Sequence, residues 1–244
     1  MKVFITLFAI ELKLSLRHGD MILFGVMMPV GIMLLIGCVS GHAATALAFS
    51  GVASVGLCAS GLMGIPLTFA SYRHEKILRR FRVTPVSPAI LMLATTAVQT
   101  IFAWVSLALV YLVARLAFGV SLAGSAGRFL ATFAFVQASI YSIGFLIASL
   151  APNVKAANVA CTIAYFPTLF LSGTTVPYEI LPAPVRAFAD FFPLTEGIKL
   201  LKHATQAGGA GQAAEVAGVL PGFLALSALA GVSYLVSLKF FRWE

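Results

Sequence analysis

Apolar residues run along this chain in long blocks, separated by short polar clusters, and helical periodicity shows mainly at the N-terminus. Over residues 3–17, Val3, Leu7, Ile10 and Leu14 recur on one face at helical spacing, with Glu11, Lys13 and Arg17 off that face. This pattern predicts an amphipathic helix that lies in a membrane interface rather than across the bilayer. A crossing needs about 20 mostly apolar residues. Such blocks stand at about 21–41, 46–70, 89–114 and 129–150, a fifth opens at 157–171, and 216–238 is the sixth. The expected fold is an all-α integral membrane protein, one transmembrane domain over residues 1–244, with six spans and both termini on one side.

The stretch 172–211 differs in kind. It is too polar and proline-rich to span, yet too apolar for a solvated loop. Pro177, Pro182, Pro184 and Pro193 end helices or start turns. Between them VRAFADFF and TEGIKLLKHA are expected as short helices, extracellular and partly re-entrant in the outer leaflet, with Asp190 and Thr195 as candidate caps. The following GGAGQAA reads as a flexible link, since no strand precedes it as a nucleotide loop requires.

Composition sharpens the class. The chain is 60% hydrophobic and 10% charged, with mean hydropathy +1.01, whereas soluble domains carry roughly a quarter charged residues. The net charge of +8 therefore reads as cations flanking spans, and no nucleic-acid partner is expected. With the termini inside, the cytoplasmic set is Lys2, Lys13, Arg17, Arg73, Lys76, Arg79, Arg80, Arg82, Lys155, Lys239 and Arg242, eleven in all, against five outside: Arg115, Arg128, Arg186, Lys199 and Lys202. That bias places the termini in the cytoplasm. Glu11 and Lys13 interrupt the run after Lys2 too early for a cleaved leader. Cys38, Cys58 and Cys161 sit inside apolar runs at neither metal-ligand nor disulfide spacing, and read as packing residues.

Several function classes are excluded by what the spans lack. Ion-driven transporters hold Asp, Glu, His or Lys within the membrane, but here Gln99, Gln137 and Asn158 are the most polar long side chains at depth, and Asp20 and Glu215 sit at the edges. His18, His42, His74 and His203 are scattered over both sides, and HExxH and GxSxG are absent, so no catalytic or metal site is assigned. No GxxxxGK[ST] loop occurs. Any energy must come from a partner.

One cytoplasmic stretch carries more than topology requires. In RHEKILRRFRVT, five of the chain's sixteen Lys and Arg fall within Arg73 to Arg82. As a helix over 73–84 it sets Ile77, Leu78 and Phe81 on one side among Arg73, Lys76, Arg79 and Arg80, with Glu75 four residues before Arg79. Pro85 ends it, and Pro88 suits the first turn of the next span. A basic loop that only fixes topology needs charge, not an apolar knob and a hard stop.

EKILRRFRVTPVSPAIL resembles the cytoplasmic signature of the type-2 ABC exporter permeases, L-x-R-L-R-x-T-P-x-S-P, through Leu78, Arg80, Phe81 (in place of Leu), Arg82, Thr84, Pro85, Ser87 and Pro88. A Gly common just before this motif is Lys76 here. FLSGTTVPYEILPAPVRAFADFFPLTEGIKLLK is similar to the family's second stretch at Leu171, Ser172, Gly173, Pro177, Leu181, Pro182, Pro193, Leu194 and Thr195. The resemblance implies a permease subunit, homo- or heterodimeric, joined to two ABC ATPase subunits that use ATP and Mg, with no cofactor bound by this chain. It also implies a coupling helix at 73–84, with Arg73, Glu75, Ile77, Leu78, Arg79, Arg80, Phe81 and Arg82 as the contact to the ATPase. The apolar knob suits a groove and the arginines suit acidic rims.

Gly56, Ser60 and Gly64 form a small-residue ridge in the second span, either a tight helix-packing face or part of a substrate cavity. The few polar groups favour a drug, lipid or other amphiphile as substrate. Phe166, Phe170, Phe188, Phe191 and Phe192 keep a polysaccharide open, and a non-transporting scaffold anchored to lipid by its basic loop is the alternative from another class.

Overall fold

The computed structural model describes residues 2–17, 19–77, 88–120, 125–173, 182–190, 192–205 and 212–240. Helix α1 is Lys2–Arg17. Helical backbone then runs from Asp20 to His74, and within it two limbs are distinguished, α2 (Leu23–Val39) and α3 (Thr45–His74). There follow α4 (Pro88–Phe118), α5 (Ala126–Leu150), α6 (Val154–Leu171), α7 (Ala183–Ala189), α8 (Pro193–Thr205) and α9 (Gln212–Phe240). No strand occurs among the described residues. Five helices there are long and apolar enough to cross a membrane, α3, Ile90–Phe118 of α4, α5, α6 and Leu220–Ser237 of α9, and α2 is a shorter apolar helix.

Limbs α2 and α3 form a hairpin. In a straight helix Gly25 and Gly56 would stand about 46 Å apart at 1.5 Å per residue. Instead, a Cβ built on Gly56 would lie 2.7 Å from the Gly25 carbonyl oxygen. Gly37 abuts Phe118, while Phe49 has already returned to Tyr111, with ring centroids 6.0 Å apart. The chain therefore reverses between Gly37 and Phe49. Each limb carries one π-helical turn, at Leu23–Met27 and Ala59–Gly64.

Helix α3 is the centre of the bundle: 78% of its most apolar window is buried in the protein, against 44% or less for the other four. Small residues explain how it takes so many neighbours, because they let helix backbones approach closely. Gly64 lies against Gln99 of α4, and Gly61 against Ile140 and Tyr141 of α5. The Gly61 carbonyl in turn fills the space where a Cβ on Gly144 would sit. The aromatic layer Phe49, Phe129 and Phe133, with centroids 5.6 and 6.4 Å apart, closes one end of the core together with Leu194, Leu201 and Ala204 of α8.

Helix starts fall a few residues earlier than the apolar blocks. Helix α6 begins at Val154 because Asn153 caps it, its Oδ1 accepting the Ala156 amide at 2.8 Å, a cap in keeping with the preference for Asn at that position. The two short helices expected between 182 and 205 are present as α7 and α8. Thr195 Oγ donates to the Ala189 carbonyl at 2.6 Å and closes the end of α7, while Asp190 pairs with Lys199 at 2.9 Å. Burial opposes the charge on Lys199, but Glu196 and Asp190 outweigh it and raise its pKa.

Helix α1 turns most of the expected apolar face away from the bundle. Val3, Ile10 and Leu14 are exposed, Leu7 is half-buried, and Glu11, expected on the polar face, is only 5% exposed. The protein-facing stripe is Phe4, Leu7, Phe8, Glu11 and Leu12. Leu7 packs with Tyr72 and Leu91, and Phe8 and Leu12 pack with Val98 and Phe102, so α1 runs alongside the start of α4. Two stripes share this helix at 3.6-residue spacing, and periodicity alone did not say which one meets the bundle.

Candidate functional site

Basic residues separate to the two ends of the bundle, and the end near the start of α1 holds Ile77 and Pro88, the described flanks of the first signature. Arg73 reaches the last carbonyls of α5, its guanidinium donating to Ala151 at 3.0 Å and to Ala148. Cations at a helix C-terminus satisfy orphan carbonyls and complement the helix dipole. The α5–α6 turn with Lys155, the C-terminal end of α9 with Lys239 (Ser237 donates to the Phe145 carbonyl at 3.3 Å) and Lys13 of α1 share this end. At the other end stand Arg115, Arg128 and, on α7 and α8, Arg186, Lys199 and Lys202, tied to the α2–α3 turn region by the Ser50–Thr205 contact of 3.3 Å.

Of the expected contact residues, Arg73, Glu75 and Ile77 are described; Leu78, Arg79, Arg80, Phe81 and Arg82, with Thr84, Pro85 and Ser87, lie outside the described residues. Glu75 is exposed. Ile77 is half-buried against the apolar cluster formed by Ile65, Phe69, Tyr72, Leu91, Tyr141 and Ala148, so its apolar contact is with its own chain. Arg73 holds α5, as above. Pro88 is the first residue of α4, where its missing N–H costs nothing.

Between span and segment lies a break with a specific cause. Helix α3 ends at His74, and Lys76 takes φ +57°, its amide bonded to the Arg73 carbonyl at 3.0 Å. This left-handed residue after a helix end is the place Gly usually takes, and it is the position where the resembled family commonly has Gly. Lys76→Gly is therefore expected to raise stability by about 1 kcal/mol, and Lys76→Val to lower it, because a side chain in this conformation costs roughly 1–2 kcal/mol and β-branching adds to that. Thermal unfolding in lipid nanodiscs checks both signs.

The second signature stretch sits at the opposite end and serves the backbone. Gly173, at φ +84°, terminates α6 after the buried Ser172. Pro177 and Leu181 lie outside the described residues. Pro182 is the N-cap of α7, Pro193 opens α8, Leu194 is fully buried, and Thr195 closes α7. These residues fold the chain back onto the bundle.

The ridge residues Gly56, Ser60 and Gly64 are all buried. Gly56 and Gly64 face α4, while Ser60 accepts from the Tyr141 hydroxyl at 3.0 Å and donates to the Leu57 carbonyl. All three pack within this chain. Around them Gln137 accepts from the Trp104 indole at 2.9 Å, and Gln99 Oε1 and Gln137 Nε2 have no partner among the described residues. Cys58 and Cys161 are buried and Cys38 exposed, all three unpaired, and among the described residues no group of three or more His, Cys, Asp or Glu is placed to hold a metal.

Sequence reasoning missed the most unusual group at this end. Tyr72 donates a hydrogen bond to Glu11 Oε1, with Thr95 of α4 beside them. Burial pushes the Glu11 carboxyl above the usual carboxylate range, further than its hydrogen bond from Tyr72 lowers it. The available signal was a lone carboxylate within the Phe4–Leu7–Phe8–Leu12 stripe.

Residues 2–204 match the family model of the ABC-2 type transporter. The chain belongs to the ABC-2 type transporter family. No curated protein matches it. Membership makes the helical bundle the membrane permease component of an ABC-2 transporter, embedded in the membrane by its apolar helices, with ABC ATPase subunits as the partners the family implies. Helix α9 lies beyond the matched residues and completes the bundle against α5, where Phe135 and Phe223 stack with centroids 4.1 Å apart.

Proposed function

We propose that this chain is the permease subunit of an exporter in the cytoplasmic membrane, with six spans and both termini in the cytoplasm. Two copies, or this chain and a relative, enclose the path, and two ATPase subunits that use ATP and Mg seat against the segment 73–84. One observation above all supports the reading. The end of the bundle where central helix α3 stops at His74, just before the signature segment, also carries Arg73 and Lys155. Closure of the ATPase pair on ATP pushes the segment, and α3, packed against α2, α4, α5 and α6, passes the push to the bundle.

The substrate in this reading is an amphiphile such as a drug or lipid. Many polar side chains of the described spans bond within their own helices, and the exposed faces are mainly apolar, with Val159, Ile163, Phe166 and Phe170 beside Asn158 and Thr162 along α6 as an example. Aromatic pairs there and at the outer end, Phe166–Phe170 and Phe188–Phe192, favour a glycan precursor as the second reading, since sugar rings stack on such surfaces.

Affinity purification of the tagged chain from its native membrane tests the assignment. An ATP-binding-cassette subunit should be recovered with it, and the mixture should hydrolyse ATP. The chain stripped of that partner should hydrolyse none. Recovery of no ATPase, or turnover by the isolated chain, counts against the reading.

A further inference from the structure

A carboxyl side chain that is 95% shielded, on a helix whose other protein-facing side chains are mostly apolar, calls for a physical reason. Removing a carboxylate from water is costly unless it is neutralised or well bonded. Glu11 makes its hydrogen bond to Tyr72, the residue next to Arg73 at the end of α3. These neighbours reach in different directions. Tyr72 ties α3 to α1 beside Thr95 of α4, and Arg73 ties α3 to the last turn of α5. Immediately beyond, the chain breaks at the left-handed Lys76.

We propose that Glu11, Tyr72 and Arg73 form a clasp that makes α1, the end of α3 and the end of α5 move as one body, with Glu11 as the positioning residue. Lys76 is then the swivel and the clasp the rigid arm, so displacement of the segment beyond Lys76 reaches three helices at once instead of dissipating in α3. The inference rests on the proposed seating of an ATPase on that segment, but the clasp itself is a property of this chain alone. Burial favours a neutral Glu11 carboxyl, and the hydrogen bond that Tyr72 donates to it offsets that only in part. Leu7 and Ile77 cover the clasp with apolar surface.

Amide hydrogen exchange of the full chain in lipid nanodiscs reads the clasp directly. Glu11→Gln keeps a hydrogen-bonding, uncharged side chain and should leave the exchange of residues 2–17 as in the wild type. Glu11→Ala should speed it about tenfold, a local opening, with α4 and α5 unchanged. In the complex with the ATPase, trapped with ADP and vanadate, residues 2–17 and 148–151 should change protection together in the wild type and in Glu11→Gln. In Glu11→Ala the response of 2–17 should disappear while that of 148–151 persists. Unaltered exchange and an unaltered trapped-state response in Glu11→Ala would overturn the proposal. If the wild type captures no ATPase, the reading of the segment fails, and exchange in the isolated chain still decides the clasp.

Discussion

Gly144→Ala is expected to destabilise the bundle by about 3 kcal/mol, at the upper end of the cost of overpacking. The added methyl meets the Gly61 carbonyl oxygen, and Ile65 Cβ stands 3.7 Å away. A flexible side-chain tip can swing aside, but a backbone carbonyl within a helix cannot move without shifting α3. Gly61 belongs to the π-helical turn Ala59–Gly64, so the contact joins α5 to the central helix where its hydrogen-bond ladder is already irregular. Gly231→Ala is the internal contrast. No atom lies within 4 Å of a Cβ at that position in α9, and replacing a helical glycine with alanine typically gains 0.5–1 kcal/mol. Opposite signs for the two substitutions, read by thermal unfolding in one lipid, are the expected result. Equal effects would mean that α3 and α5 do not meet as described.

Much of this architecture was legible in the sequence because hydropathy and membrane thickness constrain it so tightly. Apolar blocks of spanning length, with proline and charge between them, located α3, α4, α5 and α6 to within a few residues, and the cation tally anticipated which ends lie together. Less legible were contacts that depend on a third dimension. Asn153 is a good cap by residue type, yet the apolar block gave no reason to begin α6 before residue 157. Glu11 looked like part of a polar face because Val3, Ile10 and Leu14 outlined the other, but in a membrane the exposed face of a helix can be the apolar one. The ridge Gly56, Ser60 and Gly64 was recognisable as a close-approach surface, whereas its partners, Ser106, Gln99 and Tyr141, lie 35 to 81 residues further along the chain.

Within the segment that follows Lys76, Phe81→Ala should have the largest effect on partner binding. A buried aromatic anchor lost from an interface typically costs about 2 kcal/mol or more, roughly thirtyfold in affinity. Ile77 provides the comparison. Its side chain packs on the buried apolar cluster of its own chain that includes Tyr72 and Leu91, so Ile77→Ala should lower thermal stability and leave capture of the ATPase much closer to wild type. Charge reversal at Arg79 and Arg80 should weaken assembly in a salt-dependent way, as exposed ion pairs are screened. A basic loop that merely anchors to lipid predicts a different ranking, in which the arginines matter and Phe81 hardly does. Co-purification of the ATPase with each variant at two salt concentrations separates these accounts.

The claim at the centre of this account, that the segment after α3 is the seat of an ATPase, is tested most directly by a photo-crosslinking amino acid at position 81. Irradiated in native membranes, it should join this chain to a soluble subunit that carries a GxxxxGK[ST] loop, and the yield should fall when Arg79 and Arg80 are reversed. Crosslinks to lipid alone, or to a protein without a nucleotide-binding loop, would contradict it.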